Sequence, residues 1–112
     1  MAFFIFLIAA LPLASTDQPK DCFWVAGRLS AYNGTPTFRI WPRGTRRLLG
    51  VVSRNGEAER SALLPLKIRD LNPSFDRDIW GEFRICALEP ERRGRMRMVE
   101  IIDGRSLRAV PR

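Results

Sequence analysis

The chain has 112 residues, a formal charge of +7, no histidine and two cysteines, and 17 of its 19 basic residues are arginine. Without histidine it lacks the commonest general base and the commonest metal ligand, and two thiols alone are too few soft ligands for a metal site. The charge favours attraction to polyanions instead.

An apolar run from Phe3 to Ala14 opens the chain and breaks off at Ser15-Thr16-Asp17-Gln18-Pro19. That length suits the h-region of a secretory signal peptide and falls short of the roughly 20 residues of a bilayer-spanning helix. Residues 1–16 therefore read as a signal peptide and 17–112 as a single small β domain. No Lys or Arg precedes the run and no small-x-small cleavage site follows it, so an uncleaved anchor, or a strand or helix buried in the fold, stands as the alternative. Cys22 follows Pro19-Lys20-Asp21, which does not suit lipoprotein acylation. Removing the leader leaves about 96 residues, enough for one core, and places all the charge on the mature domain. In an oxidising compartment Cys22 and Cys86 are expected to form a disulfide closing a loop of about 65 residues; two buried free thiols are the alternative.

Residues 22–42 read as a hairpin. Phe23, Val25, Gly27 and Leu29 alternate with Trp24, Ala26 and Arg28, Asn33-Gly34 supplies the turn, and Thr37 to Trp41 resumes the alternation. Arg46 to Val52 makes a third strand after the punctuation at Pro42-Arg43-Gly44-Thr45. Glu57 to Leu64 holds good helix formers and stops at Pro65, Leu66-Lys67-Ile68-Arg69 alternates as a short edge strand, and residues 70–78 read as loop. Trp80 to Leu88 and Arg95 to Ile102 are two further strands. Asp103-Gly104 closes the last of them, with one more short strand at Leu107 to Val110. Three strands, a short helix or loop, then two strands is the order of a small OB-fold-like five-stranded barrel, so the fold class is all-β; a small β-sandwich is the alternative. In such a barrel the first and fourth strands are antiparallel neighbours, which brings Cys22 towards Cys86. Trp24, Trp41, Trp80 and Phe38 are expected in the core of so small a domain.

No nucleophile has a partner in the sequence: there is no G-x-S-x-G around any serine and no C-x-x-C. Asp70, Asp76, Asp78 and Glu82 cluster as paired acids would for glycoside hydrolysis or calcium, but they interleave with Arg69, Arg77 and Arg84 and read as a solvated, salt-bridged loop. The expectation is a protein that is not an enzyme and carries no cofactor or metal. The candidate anion- or partner-binding residues are two clusters: Arg43, Arg46 and Arg47 beside the turn between strands two and three, and Arg92, Arg93, Arg95 and Arg97 beside the turn between strands four and five. On an OB-like barrel both sit near the ligand-contacting face; an ordinary solvated rim is the alternative.

The run Cys22-Phe23-Trp24-Val25-Ala26-Gly27-Arg28-Leu29-Ser30-Ala31-Tyr32-Asn33-Gly34-Thr35-Pro36, continued by Arg39-Ile40-Trp41, Gly44-Thr45 and Leu49-Gly50-Val51, resembles small exported proteins of alphaproteobacterial type that carry no assigned activity. The resemblance implies a cell-envelope location and no catalytic residue. The sequence thus points to an exported periplasmic binding or accessory module, with no membrane anchor after cleavage, whose basic face docks an anionic envelope component or an envelope protein. The alternatives are an inhibitor or stress protein bound to an envelope enzyme and, for a chain that is not exported, a nucleic-acid-binding OB-like domain.

Overall fold

A computed structural model describes residues 21–55 and 63–112. The stretch read as a signal peptide (1–16) and most of that read as helix-forming (57–64) lie outside the described residues. Five strands, β1 (Cys22–Ala31), β2 (Phe38–Pro42), β3 (Leu49–Val51), β4 (Arg77–Ala87) and β5 (Arg97–Pro111), close into one ring in the order β1-β2-β3-β5-β4. A single helical turn, α1 (Leu66–Arg69), lies between β3 and β4. Every neighbouring pair is antiparallel except β3 and β5, which run parallel with Leu49 opposite Arg97. This is the OB-like barrel expected from the strand order, and one closed ring replaces the two facing sheets of a sandwich.

Closure depends on β1 serving two partners. Residues 22–29 pair with β4 while 27–31 pair with β2, so the overlap runs from Gly27 to Leu29. A Cβ placed on Gly27 would lie 2.1 Å from the Trp41 carbonyl oxygen, so the crossing needs a residue without a side chain. Cys22 and Cys86 sit directly opposite each other on β1 and β4, 4.0 Å apart at Cα, and are joined by the expected disulfide.

The interior is filled by alternate residues of every strand: Leu29 and Ala31, Phe38 and Ile40, Val51, then Ile79, Phe83 and Ile85, then Val99 and Ile101, with Leu64 and Ile68 packed against them. The tryptophans are not among them, contrary to expectation. Trp24, Trp41 and Trp80 have the opposite parity to Val25, Ile40 and Ile79, and all three lie half-buried on the outside of the ring. A five-stranded barrel is narrow, and medium-sized aliphatic groups with one fully buried phenylalanine, Phe83, already fill it.

Several element boundaries differ from the sequence reading: β3 is confined to Leu49–Val51, and β4 begins at Arg77, taking Arg77 and Asp78 from the expected loop. Residues 66–69 form a helical turn rather than an edge strand: the N–H groups of Ile68 and Arg69 donate to the Pro65 carbonyl, at 2.9 and 3.0 Å, and that of Asp70 to Leu66. In a strand Leu66 and Ile68 would share a face, whereas Ile68 is fully buried and Leu66 is 62% exposed. β5 also continues through Asp103-Gly104 to Pro111, absorbing the separate strand expected at Leu107 to Val110. It bends rather than stops. The register slips between Trp80 and Glu82 opposite Ser106, whose φ is 53°, and Gly81 leaves the space that Leu107 fills, 2.8 Å from where a Cβ would stand.

Candidate anion-binding groove

Because β3 and β5 are parallel, they begin at the same end of the barrel, and the segments leading into them (43–48 and 88–96) lie side by side. Those segments carry the two arginine clusters. Arg46 and Arg47 from one and Arg95 and Arg97 from the other line a groove of about 380 Å³, floored by Leu48, Leu49 and Met96. The first segment is held by its own hydrogen bonds. The Trp41 indole Nε1 donates to the Thr45 carbonyl at 2.7 Å, the Thr45 hydroxyl donates to the Pro42 carbonyl at 2.9 Å, and the Arg47 N–H donates back to that hydroxyl at 3.2 Å.

The four arginines are not equivalent. Arg47 is ion-paired with Glu91, which spans the two segments. Arg97 pairs with Asp21 at 3.0 Å and donates through Nε to the Glu89 carbonyl, while the Glu89 carboxylate accepts the Met98 N–H. Arg46 and Arg95 have no side-chain partner among the described residues, so two guanidinium forks remain open over an apolar floor. A guanidinium fork matches the oxygens of phosphate, sulfate or carboxylate in a bidentate manner. Arg92 and Arg93 are exposed on the same segment and do not line the groove, and Arg43 turns away to lie 5.6 Å from the Trp80 ring.

The acidic residues read as a cluster are dispersed. Glu82 accepts two N–H bonds from Arg105, at 3.2 and 3.0 Å; Asp78 is 7% exposed with Arg112 at 3.8 Å; and Asp76 borders a separate surface cavity with Arg69 and Arg77. Among the described residues no three of His, Cys, Asp and Glu gather closely enough to hold a metal ion. The groove itself offers guanidinium groups, one carboxylate and apolar surface.

A second assembly went unread in the sequence. Outside the ring, Trp41, Arg28, Trp80 and Arg108 stand opposite one another across β2, β1, β4 and β5, and Arg28 lies 5.3 Å from the Trp41 ring and 5.9 Å from the Trp80 ring. Carrying the period-two alternation of β1 through its partners would have found it, since Trp24 and Arg28 share parity. No family model, curated protein or solved structure matches the chain.

Proposed function

We propose that the chain is an exported binding or accessory module of the cell envelope that docks an anionic component or an acidic protein segment in the groove between the β2–β3 and β4–β5 connections. The observation that carries this reading is the convergence of the Arg46 and Arg95 guanidinium groups, neither with a partner among the described residues, from segments far apart in sequence onto one apolar floor. The apolar leader and the Cys22–Cys86 bond support a location outside the cytoplasm, and no described helix is long and apolar enough to cross a membrane.

The test is an NMR titration of the oxidised protein with inorganic pyrophosphate and with a hexaglutamate peptide. Amide shifts confined to 43–49 and 91–97, with affinity about tenfold weaker in Arg46→Gln/Arg95→Gln, are expected from the loss of two charge-assisted contacts. Shifts spread evenly over the basic surface, or unchanged affinity in the double variant, would reduce the groove to a solvated rim. The non-reduced intact mass of protein released by osmotic shock tests the compartment. Loss of about the first sixteen residues and of two hydrogens is expected, and a full-length mass found only in the cytosol counts against export.

A further inference from the structure

The outer face of β2, β1 and β4 carries a feature that neither the core nor the groove explains. All three tryptophans are there, and each is covered by guanidinium. Arg28 is bracketed by Trp41 and Trp80, whose rings meet edge to face at 6.1 Å, and Arg43 lies 5.6 Å from Trp80. Four residues back along β1, Trp24 has Arg105 at 3.9 Å and Arg84 at 5.9 Å. Glu82, between the two assemblies on β4, is taken by Arg105. Among the described residues the guanidinium groups of Arg28, Arg43, Arg84 and Arg108 have no carboxylate or carbonyl partner, and the Arg28 Nε is buried without an acceptor.

A ladder serving structure alone would satisfy its donors. Here the rings lie against the guanidinium groups and hold them in place, while the Arg43 and Arg84 N–H edges have no acceptor among the described residues. A stacked guanidinium loses less entropy when its edge engages an oxyanion, and that edge is the bidentate one. The two braced assemblies are separated by four strand residues, about 13 Å, which is too far for one oxyanion to bridge and suits repeated ones. Ala26, exposed between them on the same face, leaves that interval shallow. Bases would need open ring faces on which to stack, and guanidinium already covers these; anionic groups on a sugar chain need only the edges.

We infer that the outer β1–β4 face is a second binding surface, sharing no residue with the groove, for a linear anionic polysaccharide. Arg43, backed by Arg28, grips one charged substituent, Arg84, beside the Glu82-paired Arg105, grips a later one, and the tryptophans act as braces. The test compares a heparin octasaccharide with a sulfopropyl cation exchanger, using the oxidised protein and the charge-conserving variants Arg43→Lys, Arg84→Lys and Arg28→Lys. Lysine keeps the charge and loses the braced fork, so octasaccharide affinity should fall about tenfold in Arg43→Lys/Arg84→Lys while elution from the exchanger is unchanged. Arg43 is exposed, so its variant remains informative if Arg28→Lys does not fold. Unchanged octasaccharide affinity in the lysine variants overturns the inference, because net charge alone would then explain binding. So does tighter binding of a twelve-nucleotide single strand at equal salt, or loss of octasaccharide binding in Arg46→Gln/Arg95→Gln, which would move the site to the groove.

Discussion

Gly27→Ala puts a methyl group where β1 hands over from β4 to β2. Its Cβ would stand 2.1 Å from the Trp41 oxygen, 2.9 Å from the Trp41 carbonyl carbon and 3.1 Å from the Pro42 Cα. All three are backbone atoms, so no rotamer change relieves the overlap. β2 must retreat by about 1 Å, and its 2.8 Å hydrogen bond from the Arg43 N–H to the Ala26 carbonyl goes with it. Overpacking of this kind costs about 1–3 kcal/mol and each lost hydrogen bond about 1 kcal/mol. Stiffening the unfolded chain returns only about 0.4–1 kcal/mol, so a net loss near 3 kcal/mol is expected. In a domain of this size that lowers Tm by about 12 °C or more. Thermal unfolding followed by circular dichroism measures it, and a redder tryptophan emission should accompany it as the Arg28–Trp41 stack opens. A fall in Tm under about 4 °C would mean that β1 and β2 do not approach as closely as described, and the account of ring closure would fail.

Reducing Cys22–Cys86 without denaturant frees a loop spanning a sequence separation of 64, which chain entropy values at about 4 kcal/mol. The urea midpoint should fall by about 2 M or more, and a shift below about 0.5 M would show that the β1–β4 ladder already does the work of the bond. The Asp103 carboxylate is held below its ordinary pKa of 3.8, chiefly by the Lys67 ammonium at 2.9 Å and then by the Gly104 N–H at 2.7 Å. A depressed folded-state pKa gives stability that is present above the unfolded value and lost as pH falls through the folded one. The stability advantage of wild type over Asp103→Asn should therefore be flat from pH 6 to about 5 and shrink below about pH 4, read from urea midpoints; a difference independent of pH would refute it.

The parts of the fold that were legible are those set by local alternation and turn chemistry: the hairpin through Asn33-Gly34, the strand at Trp80, and the opposition of Cys22 and Cys86 that follows from the strand order. α1 was misread because four alternating residues fit a strand and a helical turn equally well, and only the burial of Ile68 against exposed Leu66 separates them. β5 was cut short because Asp103-Gly104 carries a turn signature, whereas Asp103 here spends its carboxylate on Lys67 and the bend is made at Ser106. Parity along β1 was plain, but apolar groups on both faces hid which face turns inward, and the tryptophans were assigned to the wrong one. Of the basic residues, the sequence marked both clusters. That Arg46 meets Arg95 while Arg43 departs to Trp80 depends on strand pairing at long range, which no local pattern encodes.

The parallel contact between β3 and β5 also bears on when the groove comes into existence. Its two walls are separated by nearly half the chain, and β3 meets its neighbours over only three residues. Loop-closure entropy has to be overcome before such a pairing returns anything, so it belongs to the late, slow phase of folding. A chain emerging in vectorial order, residue after residue, can zip the β1–β2 hairpin first, but it has no groove until β5 has arrived. Throughout that interval Arg46 and Arg95 are independent charges on separate segments, and a ligand that requires both would meet a receptor only in the finished molecule.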